Sequence, residues 1–484
     1  MLGTQLSSIA STNMPSPDLS FCNQNDLNFF SRAFAARSGR PPRIGLVCRS
    51  AIADDPRVRR QGDLFQAAGW DVFAIGLSGS LSPQPTWPIH AIEPEIHGPA
   101  GMEARTTPAR TAIKSMLAGG GIVQAARAVF SLLRSDRSAA IWLAKRAWSS
   151  VEGVFTVVAP ALADGIYWRR SPDYRRLLSL GRAQMADFWL GSDWTSLPIV
   201  QRLALEAGVP YGYDAHEFAV DEYGHSRRWR LLHRPLVRAI ERKGARGAAF
   251  VVSVSEGIAK RLMQAHALSA IPTVVRNIPT YEALPFRPAQ PPYRILYHGL
   301  VSPGRGLENC ITAMALLPAG MTLTIRGPAA PTYRAHLEDL ARSCGASHRI
   351  IFATPVPMVE LVARANEFDI GIFAIPNHSE QNTYVLPNKF FEYVMAGLAL
   401  CVSDLPEMTQ LVGAYGLGET IRNTDPSSIA TALARLDTKT IEAAKKASLR
   451  AARELCWEVE ARKLLVLVER AVTQARTPSR GALK

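Results

Sequence analysis

The chain is poor in paired cysteine. Six cysteines, Cys22, Cys48, Cys310, Cys344, Cys401 and Cys456, are scattered along 484 residues with no C-x-x-C pair. That spacing argues against a disulfide framework or a structural zinc site and fits a reducing compartment. H-E-x-x-H, D-x-D and paired Cys/His ligand sets are missing as well, so no metal site is read and no cofactor is expected. Long apolar runs are lacking. The nearest, VEGVFTVVAPALADGIYW (151–168), is broken by Glu152, Pro160 and Asp164, and at most would lie in a membrane interface. The N-terminus has no basic segment leading into a continuous apolar one, so no signal peptide is predicted. Residues 1–40 read as a polar, poorly ordered leader. These features place the chain in the cytoplasm, free or peripheral on the cytoplasmic face of a membrane.

Hydrophobic residues make up 47% and charged residues 20%, the balance of a folded protein, and the length is too great for one core. Positive charge is in excess, with a net of +14, which suggests nucleic acid, anionic membrane or a phosphorylated substrate. It is concentrated: residues 105–182 hold 13 Lys/Arg against 4 Asp/Glu. A second run, 225–246, spaces Arg230, Arg234, Arg238 and Arg242 four apart, although Pro235 should distort such a helix.

From residue 43 short apolar runs alternate with helical ones: RIGLVC (43–48), a helix over 58–69, WDVFAIGL (70–77). The alternation pauses over a Pro-rich loop (80–110) and basic helical material, then resumes at 186. Strand–helix alternation predicts parallel sheets. NIPTYEALPFRPAQPPY (277–293) carries five prolines and reads as a linker. The division is then an N-terminal Rossmann-like domain over 41–277 with a basic insert at about 105–185, a linker over 278–292, and a C-terminal Rossmann-like domain over 293–455. A helix over 456–474 and a tail over 475–484 follow. Two doubly wound α/β domains facing each other make the cleft between them the default site.

Five stretches could furnish it. YHGLVSPGRGLE (297–308) is a strand, a turn and a helix start. Gly304 and Gly306 let the backbone approach a ligand and Arg305 can hold phosphate, although the Walker lysine–hydroxyl pair is missing. LTIRG (323–327) ends in Arg326 and Gly327, a weaker signal. YDAHE (213–217) puts Asp214, His216 and Glu217 at the tip of a strand, where a histidine can serve a sugar or phosphate oxygen. DPRVRR (55–60) opens a helix with Arg57, Arg59 and Arg60, where the dipole disfavours cations. Asp193 is ambiguous. Finally LPNKFFEYVMAGLAL (386–400) predicts a helix over Asn388–Met395 followed by a buried strand, with Lys389 and Glu392 on one face. A carboxylate there can accept ribose hydroxyls, while cations and a helix N-terminus neutralise a diphosphate.

In order and spacing DPRVRR, YDAHE, VSVSEGIAKRL (252–262), VVRNIP (274–279), YHGLVSPGRGLE, the turn after LTIRG and LPNKFFEYVMAGLALCVSDLPE (386–407) resemble the retaining glycosyltransferases of family 4, which have the GT-B fold. The resemblance runs from about 43 to 474 and matches 80–185 poorly. It implies transfer of a sugar from a nucleotide-sugar donor, held by the C-terminal domain, to a saccharide or lipid-linked acceptor on the N-terminal one, without a metal. Glu392 and Asn388 would hold the donor, Arg305 and Lys389 the diphosphate, and His216 the transferred sugar. Gly304, Gly306, Arg326, Gly327 and Tyr384 would line the donor side, and Arg57, Asp214 and Glu217 the acceptor side. Two departures stand out: Tyr384 replaces a family glutamate, and Leu300 a family arginine. A nucleotide-sugar epimerase of the same fold, a catalytically inactive subunit and a nucleic-acid binder are the competing classes; no nucleic-acid module is recognised.

Overall fold

A computed structural model describes residues 28–80, 82–94, 152 and 156–477. The first half forms a seven-stranded sheet from β1 (Arg43–Ala51), β2 (Asp71–Leu77), β3 (Ile89–Ile92), β4 (Phe188–Ser192), β5 (Tyr211–Ala215), β6 (Phe250–Ser253) and β7 (Thr273–Val274). The second half forms a six-stranded sheet from β8 (Tyr293–His298), β9 (Met321–Arg326), β10 (Ile350–Ala353), β11 (Ile370–Phe373), β12 (Ala399–Ser403) and β13 (Gly418–Ile421). The orders are β3-β2-β1-β4-β5-β6-β7 and β10-β9-β8-β11-β12-β13. The paired strands are parallel throughout. In each sheet the strand order reverses beside the first strand, and that reversal opens a crevice at the carboxyl ends, where ligands of doubly wound sheets sit.

Local chemistry fixes the two helices that matter most. Helix Pro56–Ala67 starts at Asp55, whose side chain accepts from the backbone N–H groups of Arg57 and Val58 at 3.1 and 3.2 Å, with Pro56 in the first turn. Helix Asn388–Met395 follows Pro387 and buries Phe390, Phe391, Tyr393, Val394 and Met395. Gly397, with φ +68°, then turns the chain into β12. Because the core takes the other faces, Lys389 and Glu392 occupy the open one.

Two chain crossings join the domains. After β7 the chain leaves the first domain at Asn277, and it returns through helix Trp457–Arg476. This helix buries Trp457, Ala461, Leu464, Leu465 and Val468 against Ile44, Val58, Phe65 and Trp70 of the first domain. Polar contacts close the rest of the interface. The Phe218 N–H donates to Gln381 Oε1 at 2.6 Å, the Glu380 N–H to Asp221 Oδ2 at 2.7 Å, and the Gly257 N–H to Glu407 Oε1 at 2.6 Å.

Two sequence expectations need correction. Residues 1–40 were expected to be unstructured, yet Phe29–Ser38 is a helix whose Phe30 ring stacks on Trp70 at 5.5 Å; residues 1–27 lie outside the described residues. The Pro-rich loop contains β3, a strand too short to show an alternating pattern. The basic insert lies in part in the core of the first domain. Residues 105–151 lie outside the described residues, whereas helices Ala163–Arg170 and Pro172–Arg182 bury Ile166, Tyr167, Tyr174 and Leu177 in the first domain's core. The arginine run at 225–246 is interrupted near Pro235. Trp229–His233 is a π-helical turn, and the α-helix begins only at Arg234 with Pro235 in its first turn, a position proline tolerates.

Leu464 is fully buried and Val466 is 51% exposed on the same helix. Leu464→Ala should cost about 2–5 kcal/mol in urea unfolding. Val466→Ala should stay within about 0.5 kcal/mol.

Candidate active site

The C-terminal half of the cleft is built where β8 ends. His298 is its last residue, and Gly299 follows with φ +111°. The turn to helix Leu307–Leu316 carries Gly304, Arg305 and Gly306. Gly306 has φ +75°, and a Cβ there would lie 1.9 Å from the Ala374 carbonyl oxygen, so only glycine fits. At Gly327 a Cβ would strike the Gly299 carbonyl at 1.8 Å. The two strand ends are thus packed backbone to backbone.

Onto this floor helix Asn388–Met395 brings Lys389 and Glu392. The Lys389 Nζ lies 4.0 Å from the Tyr297 ring centroid and 4.8 Å from that of Phe373, a cation–π cradle. Desolvation first, and the Arg305 charge second, lower its pKa to about 7. Glu392 approaches His298 Nε2 at 2.8 Å. Burial opposes ionisation of Glu392, but His298, Arg60 and Lys389 outweigh it and hold the carboxyl below its usual range. His298 is clamped: its ring stacks on Tyr393 at 4.8 Å, and its backbone N–H donates to the Tyr393 hydroxyl at 3.1 Å. Arg326 Nη2 lies 3.4 Å from His298 Nδ1. An arginine can only donate, which favours the tautomer with the ring proton on Nε2, although the 2.8 Å contact with Glu392 is not aligned as a hydrogen bond. Burial pushes the His298 pKa down, in keeping with a neutral ring.

The N-terminal half presents His216, just past β5. Its Nε2 is 3.2 Å from Asp214 Oδ2. Asp214 is fully buried and takes a two-pronged hydrogen bond from Arg57, Nε and Nη2 each at 2.7 Å, with Gln61 as a further donor. Desolvation raises the Asp214 pKa, but Arg57 and His216 outweigh it and hold the group well below the carboxylate range. Burial works against protonation of His216, yet Asp214 raises its pKa on balance. Glu217 is exposed in the cleft, and the Arg305 charge reaches it from the other domain. Desolvation and Glu217 lift Glu222 to about 7, and desolvation raises Asp193, a non-glycine residue with φ +68°.

The structure therefore brings together Lys389, Glu392, Asn388 at the helix start, Arg305 between its two glycines, and His216 and Glu217 opposite. It places four others differently. Arg57 and Asp214, expected to face an acceptor, are 1% and 0% exposed. They form an internal pair that carries His216, so the cation disfavoured by its helix serves a buried carboxylate. Arg326 is buried behind His298, where it touches the site only through that ring. Tyr384 is turned to the domain interface: its ring packs on Gly257, its hydroxyl takes a bond from Arg261 Nη2 at 3.4 Å, and its carbonyl accepts from Ser255 Oγ at 2.8 Å. Leu300 is 53% exposed.

Sequence reasoning missed His298, and it named Arg60 only as one of three helix-opening arginines. His298 had a signal, the final position of a strand directly before a glycine turn. Arg60 stands three residues after Arg57, on the same helix face. Among the described residues no cluster of three or more His, Cys, Asp or Glu could hold a metal ion, the five described cysteines are free, and no helix is long and apolar enough to cross a membrane.

This architecture is the GT-B fold. Sucrose-phosphate synthase from Thermosynechococcus elongatus superposes with a TM-score of 0.60 over 90% of this chain and 100% of that one, at 14% identity. Anabaena HepE, solved with UDP and glucose, gives 0.57 over 90% and 98%, at 12% identity. WaaG, a glycosyltransferase involved in lipopolysaccharide biosynthesis, gives 0.53 over 88% and 99%, at 12% identity. At such identities the likeness is one of fold. No family model and no curated relative matches the chain.

Because the native Asp214 pKa is depressed, its stabilisation is present above the unfolded carboxylate pKa and is lost as pH falls through the native value. Asp214→Asn leaves Arg57 buried without its counter-charge and should cost about 3–5 kcal/mol at pH 7. The gap from wild type should narrow below pH ~4, as read from urea midpoints across the pH range.

Proposed function

We propose that the protein is a glycosyltransferase that moves a sugar from a nucleotide-diphosphate donor to a saccharide or lipid-linked saccharide, with retention at the anomeric carbon. The observation that carries this reading is the pair of cations, Lys389 and Arg305, set beside the ribose-type carboxylate Glu392 and opposite His216 in a GT-B cleft. The cations and the start of helix Asn388–Met395 hold the diphosphate. Glu392 accepts the ribose hydroxyls, as carboxylates do in doubly wound nucleotide sites. His216 orients the transferred sugar. The bond from the anomeric carbon to the diphosphate oxygen breaks, the acceptor oxygen bonds that carbon on the same face, and the acceptor proton leaves with the diphosphate. Side chains and a helix dipole neutralise the leaving group in this scheme, so no metal ion or other cofactor is required.

The reading extends to a setting. The resemblance to family 4, and the role of WaaG in lipopolysaccharide biosynthesis, favour synthesis of a cell-surface polysaccharide or glycoconjugate on the cytoplasmic side of a membrane. Exposed Arg227 and Arg230 beside Leu231, which is 68% exposed, form a basic and apolar patch on the acceptor-side domain. It suits an anionic lipid surface, to which each such cation adds about 1 kcal/mol.

Two tests follow. With a panel of UDP-, GDP-, ADP- and dTDP-sugars and saccharide acceptors, one donor should be consumed with release of its nucleotide. Arg305→Ala should then lower turnover about 10²–10³-fold. Glu392→Ala should weaken donor affinity about 10- to 100-fold, as for a lost charged hydrogen bond. His216→Ala should act on turnover. Unchanged kinetics in all three variants would refute the assignment. Nucleotide release without transfer, or an epimerised donor, would move the protein to the epimerase or inactive-subunit class. In flotation assays, vesicles containing phosphatidylglycerol should retain the protein at low salt, and Arg227→Gln with Arg230→Gln should release it. Equal recovery with neutral vesicles would refute the membrane role.

A further inference from the structure

Tyr384 has no part in the scheme above, yet it is where the second domain enters the core of the first. The hydrophobic cluster around β5 takes in Leu197, Val237, Ile258 and Leu262, and among the described residues packed on it Tyr384 alone comes from beyond the linker. The slot that admits the ring is made by Gly257, in the first turn of helix Glu256–His266. A Cβ built there would run into Cγ and Cδ1 of the tyrosine ring. Glycine is a poorer helix former than alanine, so its place in this helix calls for a packing reason, and the ring supplies one.

Polar contacts fasten the same segment on two sides. On one side is the start of that helix. The Ser255 hydroxyl caps it by accepting from the Ile258 N–H at 3.3 Å, and donates its own proton to the Tyr384 carbonyl at 2.8 Å. The Gly257 N–H donates to Glu407 Oε1 at 2.6 Å, a carboxylate of the second domain at a helix N-terminus. Arg261, one turn on, lies 5.5 Å over the Tyr384 ring and reaches the tyrosine hydroxyl and Glu380 Oε1, each at 3.4 Å. On the other side is the loop that follows β5. The Glu380 N–H donates to Asp221 Oδ2 at 2.7 Å, and Gln381 Oε1 accepts from the Phe218 N–H at 2.6 Å. Phe218 stands two residues after His216, so the segment that carries Tyr384 also grips the loop that carries the cleft histidine.

We propose that Tyr384 is a positioning residue: its ring, seated in the slot left by Gly257, latches the two domains together by contacts of the chain itself and so keeps His216 facing the donor side. The latch sets the spacing of the cleft, and its consequence for turnover rests on the nucleotide-sugar reading. It acts on transfer and not on nucleotide binding, because the donor's own contacts in that reading lie on the second domain, whereas transfer needs both sides of the cleft.

The test begins with small-angle X-ray scattering of the full chain without nucleotide. Tyr384→Ala empties the slot and Gly257→Ala fills it, so each should give a larger radius of gyration than wild type. Tyr384→Phe keeps the ring and loses only the long contact to Arg261, and should scatter as wild type does. The double variant should be no more open than Tyr384→Ala alone, because methyl and ring compete for one space. Kinetics then read the effect on the site. Where the closed form falls to about a tenth of the molecules, kcat/KM for transfer should fall about tenfold. Nucleoside-diphosphate affinity by calorimetry should stay within about twofold of wild type, since a ligand held equally in both forms does not sense the change. If Tyr384→Ala folds, by circular dichroism, and scatters as wild type does, or if Tyr384→Phe opens as far as Tyr384→Ala, the latch is refuted. If the opened variants transfer as fast as wild type, the positioning role is refuted. If the variants open but wild type consumes no nucleotide sugar, the latch stands and the nucleotide-sugar reading fails instead.

Discussion

Two like charges brought together at a strand end set the terms for the second domain. Lys389 and Arg305 converge at the carboxyl end of β8, and the lysine answers desolvation and its neighbour with a pKa of about 7. The crowding follows from backbone geometry: Gly306 permits the turn that delivers Arg305, and the buried face of helix Asn388–Met395 forces Lys389 outward. In the proposed function a diphosphate supplies the negative charge that these two cations lack.

The first domain solves a different problem, which is to hold a histidine steady at a cleft. Arg57 and Gln61, from one helix, fix Asp214 on a neighbouring strand, and Asp214 fixes His216. A buried ion pair contributes little net stability compared with apolar packing. Its value here is orientation, because the carboxylate can offer His216 only one geometry.

The fold was legible because its signals are local. Strand–helix alternation announced both parallel sheets, and Asn388–Met395 was readable from its apolar spacing and from Gly397. Features that depend on distant partners were hidden. Arg57 looked like a ligand-seeking cation because its partner lies 157 residues away. Tyr384 sat in a motif register that suggested the donor, but its ring is held by Gly257 of the other domain. Helix Phe29–Ser38 has a weak periodic pattern of its own and is fixed by packing on Trp70. His298 could have been found, since the last side chain of a buried strand before a glycine turn has few places to point except into the crevice.

The most direct measurement is a crystal structure of the protein soaked in turn with UDP, GDP, ADP and dTDP. One nucleotide should bind with its diphosphate between Arg305 and Lys389 and its ribose hydroxyls on Glu392. A nucleotide seated elsewhere, or an empty cleft at millimolar concentration of all four, would contradict the view that these charges exist to hold a nucleotide-sugar donor.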